Sequence, residues 1–242
     1  MVFIQLLIAH FVGDFLLQPN SWIKHKIAHK EKSIYLIIHC ILHGMLSFLW
    51  VFDTKFIPYA FAIIVLHFII DVSKLRFQTP KSARLWFFLD QFFHLIVLAA
   101  VTYFYSQINL NEIFINYKKL WIIILGIVFL SKPTSLIIKT LISIWTPEEA
   151  DKSGHSLQSA GNYIGILERW FILCFILTGH FEAVGFLLGA KSIFRFGDLR
   201  MARDRKLTEY VLIGTLLSFG IAIGVSLLTQ TLLQNFSVYF LD

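Results

Sequence analysis

Four pairs of imidazole and carboxylate side chains recur at one spacing in the first hundred residues: His10 and Asp14, His39 and His43, His67 and Asp71, and Asp90 and His94. Each pair lies inside a long apolar run. On an α-helix, residues four apart share a face and are separated by about 6 Å along the axis. Two such side chains can hold one metal ion or flank a two-metal site. Imidazole with carboxylate suits a divalent ion, zinc first, with manganese or iron as alternatives. Eight ligands exceed one tetrahedral shell. They match two ions, or one ion with a surrounding layer of Asp–His partners.

The elements that carry these pairs have the composition of membrane-spanning helices. Of the 242 residues, 57% are hydrophobic and 15% charged, against about 25% charged in a soluble domain; the mean hydropathy is +0.72. The expected fold is all-α, a polytopic integral membrane bundle of about eight transmembrane helices with the His/Asp site among the first four. The spans are placed near 2–18, 33–52, 57–75, 85–105, 119–132, 161–178, 181–196 and 208–234. Residues 1–105 form the His/Asp half and 106–242 the second half of one compact membrane domain. The start lacks a basic region and carries His10 and Asp14 where a signal peptide would be purely apolar, so it is read as an uncleaved first span. Residues 134–145 read as an amphipathic helix on the membrane surface, and 146–160 as a soluble loop.

Basic residues orient the bundle. Loops 19–32, 76–84 and 197–207 carry Lys24–Lys32, Arg76–Arg84 and Arg200–Lys206. An eight-span count puts all three on one side, which is then cytoplasmic, with both termini outside. All four His/Asp pairs then fall at one depth toward the cytoplasmic side. The net charge of +6 is explained by basic loops facing anionic lipid rather than nucleic acid. Cys40 and Cys174 lie in apolar runs and suggest neither a disulfide framework nor a thiolate zinc motif.

A buried carboxylate costs about 2.5–3.5 kcal/mol in mid-membrane on insertion scales. Asp14, Asp71 and Asp90 therefore need partners. Lys74, three residues past Asp71, is the nearest cation by sequence, and a bound divalent ion would neutralise the rest. The alternatives are a proton relay or a structural polar network. Gln18 and Gln91 fall near the same depth and can orient ligands or simply bond within the core. His25 and His29 read as part of a solvated interfacial helix. In the second half, Glu168, Arg169, Lys191 and Arg195 form either structural ion pairs or a cationic wall for an anionic headgroup. Gly161, Gly165, Gly185 and Gly189 are expected to let spans six and seven pack closely.

The run His10-Phe-Val-Gly-Asp14-Phe-Leu-Leu-Gln18-Pro19, with His39-x3-His43, His67-x3-Asp71-x2-Lys74 and Asp90-Gln91-x2-His94, resembles a family of bacterial polytopic membrane proteins known only as a domain of unknown function. Gly161-x2-Ile164-Gly165-x-Leu167-Glu168-Arg169 and Ala190-Lys191-Ser192-x2-Arg195-Phe196 are similar to that family's longer members. The resemblance implies a bacterial cytoplasmic membrane and no particular reaction. A looser similarity links the His/Asp content to membrane-embedded metal-dependent hydrolases. The expected function is a membrane metal-dependent hydrolase acting on an ester or phosphoester, with a lipid as the substrate class. Asp71 or Asp90 would be general base. Lys74, Lys191 and Arg195, with Arg169 and Glu168 beside them, would hold the anionic headgroup. Membrane lipids are the expected partners, nucleic acid is not, and a homo-oligomer is left open. A divalent-metal transporter and a scaffolding protein are the alternatives.

Overall fold

A computed structural model describes the backbone of residues 1–107, 118–145, 155–196 and 205–238, and the side chains of 1–107, 118–145, 161–193 and 209–235. The described residues are almost wholly helical. The chain divides into two compact units, Met1–Trp121 and Ile122–Asp242. Residues 108–117, 146–154 and 197–204 lie outside the description, and with them most of the loops expected at 146–160 and 197–207, whose last residues are helical.

In the first unit, α1 (Val2–Phe11) runs into a π-helical turn (Val12–Leu16). Pro19 then adopts an extended conformation ahead of α2 (Asn20–His29), bending the chain by 83°. The loop expected at 19–32 is therefore mostly a helix. α3 (Ile34–Val51), α4 (Ile57–Phe77) and α5 (Ala83–Ser106) follow through short turns. Short connections force antiparallel neighbours. α1 packs on α3 and α5, and α4 packs on the same two, closing a four-helix arrangement.

Along this bundle the interior changes character. One end is a plug of Leu6, Val51, Phe56, Ala60, Ile63, Leu98, Val101 and Tyr105. The other end is a layer of His10, His39, His43, His67, Asp71, Asp90 and His94, all buried. The outer face is apolar: α3 exposes Ile34, Ile37, Ile38, Ile41, Met45 and Leu49 while burying His39, His43 and Ser47. This inverts the soluble pattern, in which helices turn polar residues outward. At the plug end, Asp53 accepts from the Tyr105 hydroxyl and the Lys55 backbone N–H, tying the α3–α4 turn to α5. The Tyr105 hydrogen bond, then the Lys55 one, holds the Asp53 carboxyl below its ordinary range.

In the second unit, α6 (Lys118–Phe129, its first residues in the first unit) and α7 (Lys132–Ile142) are separated by a break at Leu130–Ser131. Of the stretch 134–145 expected as an amphipathic helix, residues up to Ile142 belong to α7 and Ser143–Trp145 form a 3-10 turn. Pro133 sits in the first turn of α7, where its missing N–H has no partner to lose. The chain resumes as a helix, and Lys118–Trp145 counts as one apolar stretch of 28 residues. Thr134, Ile138 and Ile142 turn inward, and α7 packs on α8 (His155–Leu177) and α10 (Arg205–Val238). α9 (Phe181–Phe196) packs on α8. The core is Leu130, Ile172, Leu173, Ile176, Val184, Phe219 and Ala222. Gly161, Gly185 and Gly189 do not mediate close packing, since an added Cβ would meet nothing within 4 Å; at Gly165 it would meet the Arg169 guanidinium at 3.3 Å.

Among the described residues, five helices are long and apolar enough to cross a bilayer, or six if the bent pair Val2–Leu16 and Asn20–Lys32 counts as one span.

The α3–α4 crossing has no slack. A Cβ on Gly44 would lie 2.4 and 2.5 Å from Ile64 Cγ1 and Cδ1 and 3.1 Å from the Ala60 carbonyl oxygen. Gly44→Ala is expected to cost roughly 1–3 kcal/mol of stability, with part recovered in the pair Gly44→Ala/Ile64→Ala. Thermal unfolding of the detergent-solubilised protein checks both.

Candidate metal centre

Asp14 stands at the middle of the polar layer because of the π turn. Such single-turn insertions shift the side chains of one helical turn relative to the next and occur frequently at functional sites. Gly13 makes the approach to α3 possible: a Cβ there would lie 2.6 Å from His43 Cε1 and Nε2. Asp14 Oδ1 lies 3.1 Å from His39 Nε2, 3.0 Å from His43 Nε2 and 3.6 Å from His67 Nε2. His39 Nε2 and His67 Nε2 are themselves 3.1 Å apart. Three imidazole nitrogens thus converge on one carboxylate oxygen, which has about two lone-pair directions to offer.

These separations resemble the edges of a coordination polyhedron. Zinc–nitrogen bonds of about 2.0–2.1 Å in a tetrahedron place ligand atoms about 3.3 Å apart. The ligand atoms of Asp14, His39, His43 and His67 all lie within 4.8 Å of one another. Two further groups meet the same condition: His10, Asp14 and His94, and His67, Asp71 and His94. Asp14 belongs to two groups, its Oδ1 facing the α3 and α4 histidines and its Oδ2 lying 3.6 Å from His10 Nε2.

Surrounding groups hold these side chains in place. His94 Nδ1 bonds the Asp90 backbone carbonyl at 2.8 Å, so its Nε2 is turned into the layer, where it is buried without a hydrogen-bond partner. That nitrogen is 3.9 Å from Asp71 Oδ1. Gln91 donates to Asp14 Oδ2 at 3.0 Å and to Asp90 Oδ2 at 3.2 Å, and its Oε1 faces His10 Nε2 at 3.3 Å. Lys74 donates to Asp90 Oδ2 at 2.9 Å. Asp90 enters none of the three converging groups among the described residues, and its Oδ1 is buried without a hydrogen-bond partner.

Lys26 is the member that sequence reasoning missed. It reads as one of several loop lysines, yet it is buried on α2 and donates to Asp71 Oδ2 at 2.7 Å. The bend after Pro19 folds α2 back toward the layer. The available signal is weak: once a helix starts at Asn20, Lys26 shares a face with Trp22. Lys26 and Lys74 offset Asp71 and Asp90, which leaves Asp14 as the carboxylate without a lysine among the described residues. Gln18 Nε2 is buried without a partner rather than bonded to a ligand. His25 and His29 stack at 3.9 Å on the mostly exposed α2, away from this layer, and His25 bonds Ser33.

The remaining sequence candidates lie in the second unit. Lys191 on α9 pairs with Glu168 on α8. Arg169 is buried and bonds the Leu130 and Ser131 carbonyls and the Ser135 and Ser218 hydroxyls. Arg195 lies on α9, with its side chain outside the description. The His/Asp centre is complete within the first unit.

A family model described as a protein of unknown function (DUF3307) matches residues 2–142, more than half of the chain. The chain belongs to that family. The DUF3307 match takes in every His and Asp of the centre, Lys26 and Lys74 included, and stops at the end of α7. No curated protein and no solved structure matches the chain.

Breaking a buried ion pair by removing one partner typically costs 3–5 kcal/mol. Lys26→Met is expected to destabilise the protein by roughly that amount, and Lys26→Met/Asp71→Asn by much less. Denaturation of the two single variants and the double variant measures the coupling; additive effects would show that the pair contributes nothing.

Proposed function

We propose that this protein is an integral membrane metalloenzyme that hydrolyses an ester or phosphoester of a lipid, with its metal centre in the His/Asp layer. The carrying observation is the convergence of His39, His43 and His67 Nε2 on Asp14 Oδ1 at 3.0–3.6 Å, beside a buried His94 Nε2 with no hydrogen-bond partner. A hydrogen-bonded network alone leaves both facts unexplained, whereas a divalent cation accounts for both. Zinc is the first assignment, with one or two ions per chain.

The residues suggest distinct roles. Asp14, His39, His43 and His67 form one ligand set, and His67, Asp71 and His94, or His10, Asp14 and His94, supply a second. A divalent ion in this layer would lower the pKa of a bound water and polarise the scissile group. Asp90, held through Oδ2 by Lys74 and Gln91, has its Oδ1 free to accept a proton as general base. Asp71 is the weaker candidate for that role, because it stands among ligand atoms and is paired with Lys26. The apolar plug closes the bundle at one end. The layer lies toward one end of the bundle, beyond that plug, and a transport site is expected near the midplane with access from both faces, which favours an enzyme over a transporter.

Membrane insertion is supported by the five apolar helices and by the outward Ile, Leu and Phe of α3, α4 and α5. The eight-span count, with the basic segments and the metal centre toward the cytoplasm and both termini outside, is the orientation we propose.

Two measurements test this reading. Protein purified without chelator should carry one or two transition-metal ions per chain by elemental analysis, and joint His39→Ala and His43→Ala should remove them while Asp90→Asn keeps the metal and abolishes lipid turnover. Metal-free wild-type protein would sink the proposal, and zinc or manganese uptake into proteoliposomes without lipid turnover would replace it with a transporter. For orientation, in a background lacking Cys40 and Cys174, Thr54→Cys should react with an impermeant thiol reagent in intact cells and Lys24→Cys should not; the opposite pattern inverts the membrane sidedness.

A further inference from the structure

The second unit contains a feature that the metal centre does not use. A cavity of about 300 Å³ opens between α7, α8, α9 and α10, lined among others by Lys139, Arg169, Lys191, Thr215 and Ser218. That volume is at the lower end of the roughly 300–1,000 Å³ typical of ligand pockets, suited to a headgroup rather than a whole lipid. No carboxylate lines it among the described residues.

Arg169 has a structural role that its hydrogen bonds explain. At the break between α6 and α7 the Leu130 carbonyl is left to Arg169, while the Ser131 carbonyl also accepts from the Ser135 backbone N–H and hydroxyl, and helix ends must satisfy such groups. Arg169 Nε and Nη2 donate to them at 2.7 and 3.2 Å, and Nη2 and Nη1 donate to Ser135 and Ser218 hydroxyls at 2.6 and 3.0 Å. These acceptors are all neutral. Arg169 is 3% exposed, and no carboxylate lies within ion-pair distance of its guanidinium among the described residues. Its neighbour Glu168 is committed to Lys191. A buried charge without a counter-charge is costly. Among the described residues on the lining and their ion pairs, Lys139, Arg169 and Lys191 set against Glu168 leave two positive charges around a space that an anion can enter.

We propose that this cavity binds a phosphate monoester, whose two negative charges match that excess, presented either as a lipid headgroup or as free phosphate. Ile138 and Ile142 on the lining offer an apolar path for an acyl chain. Ser218 accepts from the guanidinium and Thr215 adds a second hydroxyl-bearing residue to the lining, and charge-assisted bonds to an anion are the stronger class. The site stands without the metal reading: it lies wholly in the second unit, and metal content neither supports nor removes it.

The test uses the full chain in nanodiscs of phosphatidylcholine doped with phosphatidic acid or phosphatidylglycerol, with retained lipids counted by native mass spectrometry. Phosphatidic acid should be retained at least ten-fold over phosphatidylcholine and above phosphatidylglycerol. Arg169→Gln should abolish the preference. Because that variant also loses the brace across the α6–α7 break, two others carry the test. Glu168→Gln removes the carboxylate that occupies Lys191 and should tighten retention several-fold, a gain that a merely structural role would not produce. Gly161→Leu, at a lining position where an added Cβ meets nothing within 4 Å, should weaken retention with the melting temperature unchanged. Displacement by millimolar inorganic phosphate would identify free phosphate as the ligand; retention despite it would identify the lipid. Equal retention of phosphatidic acid and phosphatidylcholine, or a Glu168→Gln variant that binds no tighter, would overturn the proposal.

Discussion

Asp14 has to be reconciled with a helix bundle whose outer faces and one end are apolar, and the first unit is arranged around that constraint. A carboxylate in an apolar interior needs cations or strong donors around it. Two of the three buried carboxylates receive a lysine each, Lys26 for Asp71 and Lys74 for Asp90. Asp14 receives imidazoles and Gln91 instead. Neutral imidazoles cannot all donate to one oxygen, and two of them face each other nitrogen to nitrogen at 3.1 Å. The arrangement suits a cation held at the place where the nitrogens meet. Gly13, the π turn and the closed packing of α1 with α3 and α5 are the local conditions that bring Asp14 there.

The bundle divides its labour by height. Apolar residues at one end of α1, α3, α4 and α5 do the packing, and the His/Asp layer at the other end gathers the titratable side chains. Each helix contributes to both, a few turns apart. Close van der Waals packing at the plug stabilises the antiparallel frame, and the frame in turn holds side chains that would repel one another if charged. The outer surface, rich in Ile, Leu and Phe, leaves the polar groups no partners except those inside.

The second unit solves a smaller version of the same problem. At the break before Pro133 one buried arginine from α8 satisfies the Leu130 carbonyl and adds a bond to the Ser131 carbonyl. In doing so it leaves a charge that the surrounding hydroxyls solvate without neutralising. A brace and a ligand site are thereby made from one side chain.

The sequence by itself determined the helical class, the apolar character and the identity of the His/Asp residues, because a spacing of four on a helix dictates which side chains share a face. It also indicated that these pairs would be buried, since they occur in long runs made up mainly of apolar residues. The break at Lys132-Pro133 was legible, but not that the helix resumes inward, because proline in a first turn ends one helix and begins another equally well. Only the tertiary structure decided that Lys26, distant in sequence and set among exposed lysines, reaches Asp71; that depended on the 83° bend, which no local pattern specifies. Only it decided that Asp14, rather than Asp71 or Asp90, stands at the meeting point of the imidazoles. Hydrophobic periodicity encodes which face of a helix turns inward. The shift of register in a π turn and the approach permitted by Gly13 depend on what packs opposite, and that is settled between helices rather than along one.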